Sequence, residues 1–184
     1  MADPGQVEIV RLSPNEWEGY RALRLRALQE EPQAFGETYA NAAALPEARW
    51  RRRLVDAQSE EGWRLFFARL DGQLVGMIGS FPFQPKDQPP ADPSTVRETW
   101  IISVFVASEA RERGIGARLM EAMLADLSSS GRFDRVQLMV NVLQTAAIAL
   151  YRRFGFEVTG EVDAVLGDGQ THSELVMWRE LPWP

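Results

Sequence analysis

Arg111-Glu112-Arg113-Gly114-Ile115-Gly116 follows an apolar, β-branched run at residues 101–106 and precedes a helical pattern that begins near Ala117. A strand, a tight turn and a helix N-terminus in that order build an anion site. Gly114 can adopt positive φ at no steric cost, and Gly116 lets backbone approach a ligand closely. The first amides of a helix have no intrahelical partner. Together with the helix dipole they suit a phosphate or pyrophosphate. A Rossmann fingerprint fits poorly, because Leu119 stands where its third glycine belongs. A P-loop fails as well, since no Gly-Lys-Ser/Thr follows. Taken alone, the turn is also compatible with a plain solvated strand-to-helix connection.

A second segment, residues 136–156, carries more. Val136-Gln137-Leu138-Met139-Val140-Asn141 is a buried-strand signal. After Val142 and Leu143, Gln144-Thr145-Ala146-Ala147-Ile148-Ala149-Leu150-Tyr151 reads as a short helix, stopped by Gly155. The two segments in this order resemble the GNAT superfamily of acyl-CoA-dependent N-acyltransferases. Residues 111–116 match its phosphate turn, Arg/Gln-x-x-Gly-x-Gly/Ala. Ala147-Ile148-Ala149-Leu150-Tyr151 and Gly155-Phe156 match its later signature. The strong match covers roughly residues 98–160, and the rest agrees in length and element order. Two departures stand out. Gln144 replaces the usual Asn, and Met139 occupies the place where some N-terminal protein acetyltransferases carry a Glu base.

The resemblance implies an α/β (α+β) fold of one domain over residues 1–184. Its centre would be a mixed, largely antiparallel twisted sheet of six to seven strands with helices on both faces. It also implies an N-acetyltransferase that uses acetyl-CoA as cosubstrate, with direct attack of a primary amine in a ternary complex. The pyrophosphate would rest on the amides of Arg111, Glu112, Arg113, Gly114, Ile115, Gly116 and Ala117, a backbone nest. The pantetheine arm would run along Val104, Phe105 and Val106 as an added strand does. A bulge is expected in one of the two neighbouring strands, residues 101–106 or 136–140, where they part. An amide near Val104 would polarise the thioester carbonyl. Gln144 joins the cofactor-binding set. Tyr151 sits where the family places its general acid, since a phenol and a thiolate have comparable basicity. Glu98 is the substitute candidate for the base. The acceptor would enter between the loop after the first helix and the last hairpin. Glu30, Glu31, Phe35, Glu37 and Tyr39 lie on one side, and Asp163 and Asp168 on the other. Those groups suit a cationic amine, small molecule or peptide. A non-catalytic acyl-CoA sensor is the competing class, and the resemblance leaves a homodimer open.

Composition agrees with this. The chain has 184 residues, 45% of them hydrophobic, enough for a well-formed core. A net charge of −6 argues against a nucleic-acid partner. The absence of cysteine excludes disulfides, thiolate metal sites and a cysteine nucleophile, and a single histidine, His172, excludes a multi-histidine metal site. No metal is expected. No apolar run approaches the roughly 18 residues of a membrane span, and Met1-Ala2-Asp3-Pro4-Gly5 has no leader pattern. A soluble, cytoplasmic protein without a membrane partner is the expectation.

The remaining elements follow from periodicity and turn chemistry. Residues 7–12 alternate as a strand, and Ser13-Pro14-Asn15-Glu16 forms a capping box for a helix through Trp17, Tyr20, Leu23 and Leu28. Arg21, Arg24 and Arg26 are expected to be solvated or ion-paired. Residues 32–44 read as irregular, and Pro46 opens a helix with Trp50 and Leu54. Asp71-Gly72 joins the strands 63–70 and 74–83 in a hairpin. Residues 82–93, with five prolines, form a connection. Two final strands, 157–165 and 174–179, turn at Gly167-Asp168-Gly169.

Overall fold

The computed structural model describes residues 5–59, 63–82 and 96–183; the proline-rich connection expected at 82–93 lies almost entirely outside them. In chain order the elements are β1 (Val7–Val10), α1 (Trp17–Glu30), α2 (Tyr39–Ala43), α3 (Glu47–Asp56), β2 (Arg64–Leu70), β3 (Gln73–Pro82), β4 (Glu98–Val106), α4 (Ile115–Ser130), β5 (Arg135–Asn141), α5 (Thr145–Arg153), β6 (Glu157–Val165) and β7 (Thr171–Glu180). The strands form one seven-stranded sheet, ordered β1-β2-β3-β4-β5-β7-β6. Every neighbouring pair is antiparallel except β4 and β5. The mixed, mainly antiparallel sheet is the expected one.

Alternation along the strands sends helices to both faces. Phe67 meets the ring of Tyr20 from α1 edge-on at 5.4 Å. Its neighbour Ala68 pairs with Gly76, where an added Cβ would lie 3.1 Å from Leu119 of α4. Leu119, Met120, Met123, Leu124 and Leu127 give α4 a fully buried stripe. Such burial stabilises the fold by roughly 1.5–3 kcal/mol per large side chain. Tyr20, Leu23, Ala27 and Leu28 do the same for α1 on the opposite face.

Start and stop chemistry works at several ends. The Ser13 amide donates to Glu16 Oε2 at 2.8 Å, and Pro14–Glu16 forms a 3₁₀ turn that leads into α1. Gly131 ends α4 in the left-handed region, φ 60°. Residues 32–44 are less irregular than their composition predicts. Thr38 accepts from the Asn41 amide at 3.2 Å and caps α2, after a 3₁₀ turn at Pro32–Ala34. Helix α4 also begins earlier than expected, at Ile115, which places Gly116 inside its first turn. No helix among the described residues is long and apolar enough to cross a membrane.

Candidate active site

Two strands part to make the site. β4 and β5 are parallel neighbours only at Glu98/Arg135, Thr99/Val136 and Trp100/Gln137. Beyond Trp100, β4 pairs with β3 alone. Its register against β3 also slips: Met77 pairs with Phe105 and Gly79 with Ile102. Ser103 and Val104 therefore share one opposing residue, Ile78, which is a β-bulge. Ser103 takes φ 58°, a left-handed conformation costly for a residue with a Cβ. The bulge expected between the two strands lies in β4.

The gap is a cleft of about 630 Å³. Val104, Phe105 and Val106 line one wall, while Gln144, Ala147, Leu150 and Tyr151 line the other. Arg111, Glu112, Gly114, Ile115, Gly116 and Ala117 close one end. Arg113 is exposed and does not line it. Gly114 is the N-cap residue of α4 with φ 73°, and Glu112 also has positive φ, 62°. The Arg118 amide bonds to the Gly114 carbonyl at 3.1 Å. Among the described residues the amides of Ile115, Gly116 and Ala117 have no hydrogen-bond acceptor. These are the orphan donors a phosphate would take. Gly116 serves packing as well, since a Cβ there would stand 3.2 Å from Leu150 Cδ2 of α5.

Glu31, just past α1, reaches into the cleft. It is ion-paired with Arg111, and its Oε2 accepts from Gln144 Nε2 at 3.2 Å. Arg111 Nε donates to the Val106 carbonyl at 3.0 Å. Gln144 is the residue at the N-cap of α5, but its side chain is spent on Glu31 rather than on the cap. Tyr151 is 5% exposed and packs against Phe156 with ring centroids 6.1 Å apart. Burial, with the Glu31 carboxylate acting in the same direction, pushes its phenol well above the usual tyrosine value. Among the described residues its hydroxyl has no hydrogen-bond partner, so it enters the cleft protonated and uncommitted.

Glu98 stands at the start of β4, outside the cleft lining. Arg135 NH1 donates to its Oε1 at 3.2 Å, and Gln137 Nε2 to its Oε2 at 2.6 Å. Alternation puts Glu98, Trp100, Gln137, Met139 and Trp178 on the sheet face that carries α1.

The acidic groups expected to attract an acceptor are mostly engaged. Glu30 pairs with Arg26, Glu31 with Arg111, and Glu37 with both Arg24 and Arg53. His172 Nε2 lies 2.7 Å from Asp168 Oδ2. Burial pushes the Glu37 carboxyl up, but Arg53 and Arg24 outweigh it and hold it below the usual carboxylate range. Among the described residues no cluster of three or more His, Asp or Glu side chains could hold a metal ion.

Sequence reasoning missed two residues. Ser103 gave no signal, because a bulge depends on register. Arg24 gave one: it falls on the buried stripe of α1, between Leu23 and Ala27.

Comparison with known proteins bears on the whole arrangement. The chain is 29% identical over 113 residues to the spermine/spermidine N(1)-acetyltransferase of Bacillus subtilis, covering 60% of this chain and 66% of that one. It is 28% identical over 149 residues to the L-amino acid N-acetyltransferase AaaT of Escherichia coli, covering 79% and 81%. The crystal structure of a GNAT-family acetyltransferase from Streptococcus pneumoniae superposes with a TM-score of 0.75 at 20% identity, covering 96% of this chain and all of that one. The PaiA N-acetyltransferase of Thermoplasma acidophilum, solved in complex with coenzyme A, gives 0.64 at 17% identity, with coverage of 96% and 99%. The model of the acetyltransferase (GNAT) family matches residues 24–156, a span that holds the bulge, the phosphate turn and Tyr151. With the parted strands and the orphan amides between them, that match makes this chain a member of the GNAT acetyltransferase family.

Proposed function

We propose that this protein transfers the acetyl group of acetyl-CoA to a primary amine by direct attack. The observation that carries the reading is the cleft itself. Unpartnered amides close one end, strand edge runs along one wall, and a buried, protonated phenol stands in the other. The amides of Ile115, Gly116 and Ala117 receive the pyrophosphate, and the β4 edge at Val104, Phe105 and Val106 receives the pantetheine arm. The Val104 amide, turned by the bulge, stabilises the oxyanion that develops on the thioester carbonyl. The amine nitrogen bonds to the carbonyl carbon and the carbon–sulfur bond breaks. The Tyr151 hydroxyl gives its proton to the sulfur, and solvent reprotonates the phenolate. Glu98 accepts the proton lost by the amine, through water on the α1 face. Arg135 and Gln137 keep it oriented for that role.

Among relatives, named acceptors include spermine, spermidine and L-amino acids. The acceptor here belongs to the same chemical class, a primary amine on a small molecule or peptide. The test is an amine panel with acetyl-CoA, read as release of free thiol. No release with polyamines, amino acids or peptide N-termini would overturn the reading.

A further inference from the structure

We infer that Arg24 is a positioning residue for acetyl transfer: it locks Ser103 in its left-handed conformation and thereby places the Val104 amide at the thioester. The inference deepens the proposed function and rests on that reading.

Ser103 carries the most costly backbone feature of the cleft wall. Its φ of 58° is disfavoured for any residue with a Cβ, and such a conformation persists only where surrounding structure enforces it. β5 does not enforce it, because pairing with β5 has ended at Trp100. Among the described residues its side-chain hydrogen bond is to Arg24, whose NH1 donates to Ser103 Oγ at 3.1 Å.

Arg24 is itself immobilised. It is 8% exposed, on the buried stripe of α1. Its Nε and NH2 donate to Glu37 Oε2 at 3.2 and 3.0 Å, and its guanidinium lies 4.6 Å from the Phe35 ring centroid. Arg53 NH2 holds the other Glu37 oxygen at 3.0 Å. Helices α1 and α3 and the loop after α1 thus fix a planar fork, and the fork's remaining arm reaches Ser103 in the bulge. Glu37 takes the Nε and NH2 donors and is shared with Arg53, so NH1 is the arm left over, and it is spent on Ser103 Oγ. The aim of NH1 at the one strained residue beside Val104 gives the cluster its second task.

Rates and spectra of the full-length protein test this. Arg24→Met keeps the chain length and removes the donors. At saturating acetyl-CoA its single-turnover thiol release should fall by about 10²-fold, the scale of a displacement of roughly 1 Å at a reacting centre. Coenzyme A affinity should fall far less than the rate, because the amides of Ile115, Gly116 and Ala117 are untouched and only the Val104 contact to the pantetheine arm shifts. Glycine takes positive φ without strain, so in a Ser103→Gly background the same substitution should cost far less. Equal loss in both backgrounds would overturn the inference and leave Arg24 a fold residue. If Arg24→Met does not fold, Ser103→Ala replaces it, deleting only the accepting hydroxyl. Ser103→Ala should be slow where Ser103→Gly is not, and equal rates would overturn the clamp.

An acceptor-independent readout separates this from the proposed function. The Val104 amide resonance should move between the coenzyme A and acetyl-CoA complexes of the wild type and cease to move in Arg24→Met. No movement in the wild type overturns the inference. Movement without thiol release to any amine sinks the transfer reading and leaves only the placement of the Val104 amide by Arg24 standing.

Discussion

Glu31 is ion-paired with Arg111 across the mouth of the cleft, and its second carboxylate oxygen holds Gln144. One acidic side chain from the loop after α1 thus ties the phosphate turn to the start of α5. It also places negative charge in the same cleft as the unpartnered amides proposed to receive the pyrophosphate. Glu31→Gln should therefore bind coenzyme A more tightly. The gain should be a few-fold, because Arg111 is half exposed and a pair of that kind contributes only about 0.2–1 kcal/mol. Isothermal titration checks it, and unchanged or weaker binding would show that the pair does not oppose the ligand.

Gly114 tests the phosphate turn. Its φ is 73°, but an added Cβ would meet nothing within 4 Å. Gly114→Val should fail through backbone strain rather than collision, costing about 1–2 kcal/mol and re-aiming the amides of Ile115 and Gly116. Coenzyme A at 100 times its dissociation constant should stabilise the wild type by about 2.7 kcal/mol. Thermal shift should show that gain in the wild type and little of it in the variant.

Glu174 gives a pH dependence. It is 8% exposed on β7, directly across from Asn141. Burial raises its carboxyl above the ordinary value, with His172 pulling weakly the other way. A carboxyl raised in the folded state destabilises it once ionised, and has no effect below the unfolded value of about 4.3. Glu174→Gln should therefore have a higher Tm than the wild type at pH 7. The difference should shrink as pH falls through the raised pKa and vanish below about pH 4. A difference independent of pH would mean that packing, not ionisation, sets it.

Much of this was legible in the sequence, for identifiable reasons. Turn chemistry at Asp71-Gly72 and Gly155, and the helical pattern that begins near Ala117, depend on near neighbours alone. The turn at residues 111–116 and the Tyr151 helix were legible as structure because each is a continuous segment. What was not legible depends on long-range register or pairing. The bulge at Ser103 is defined only by which β3 residues lie opposite. The carboxylates Glu31 and Glu37 looked available for a cation, and their arginine partners, Arg111 for the first and Arg24 and Arg53 for the second, come from elsewhere in the chain. Residues 32–44 looked irregular because α2 spans only five residues, too few for periodicity to show.

In the proposed reaction the buried phenol of Tyr151 protonates the departing thiolate. Tyr151→Phe keeps the ring and its packing against Phe156 and removes only the hydroxyl, so Tm and acetyl-CoA affinity should hold. The single-turnover rate of acetyl transfer, free of any limit from product release, is the measurement that decides. It should fall by roughly 10²–10⁴-fold, as loss of a general acid does, with kcat and kcat/KM falling together in the steady state. A Phe variant that transfers acetyl at the wild-type single-turnover rate would exclude Tyr151 as the acid.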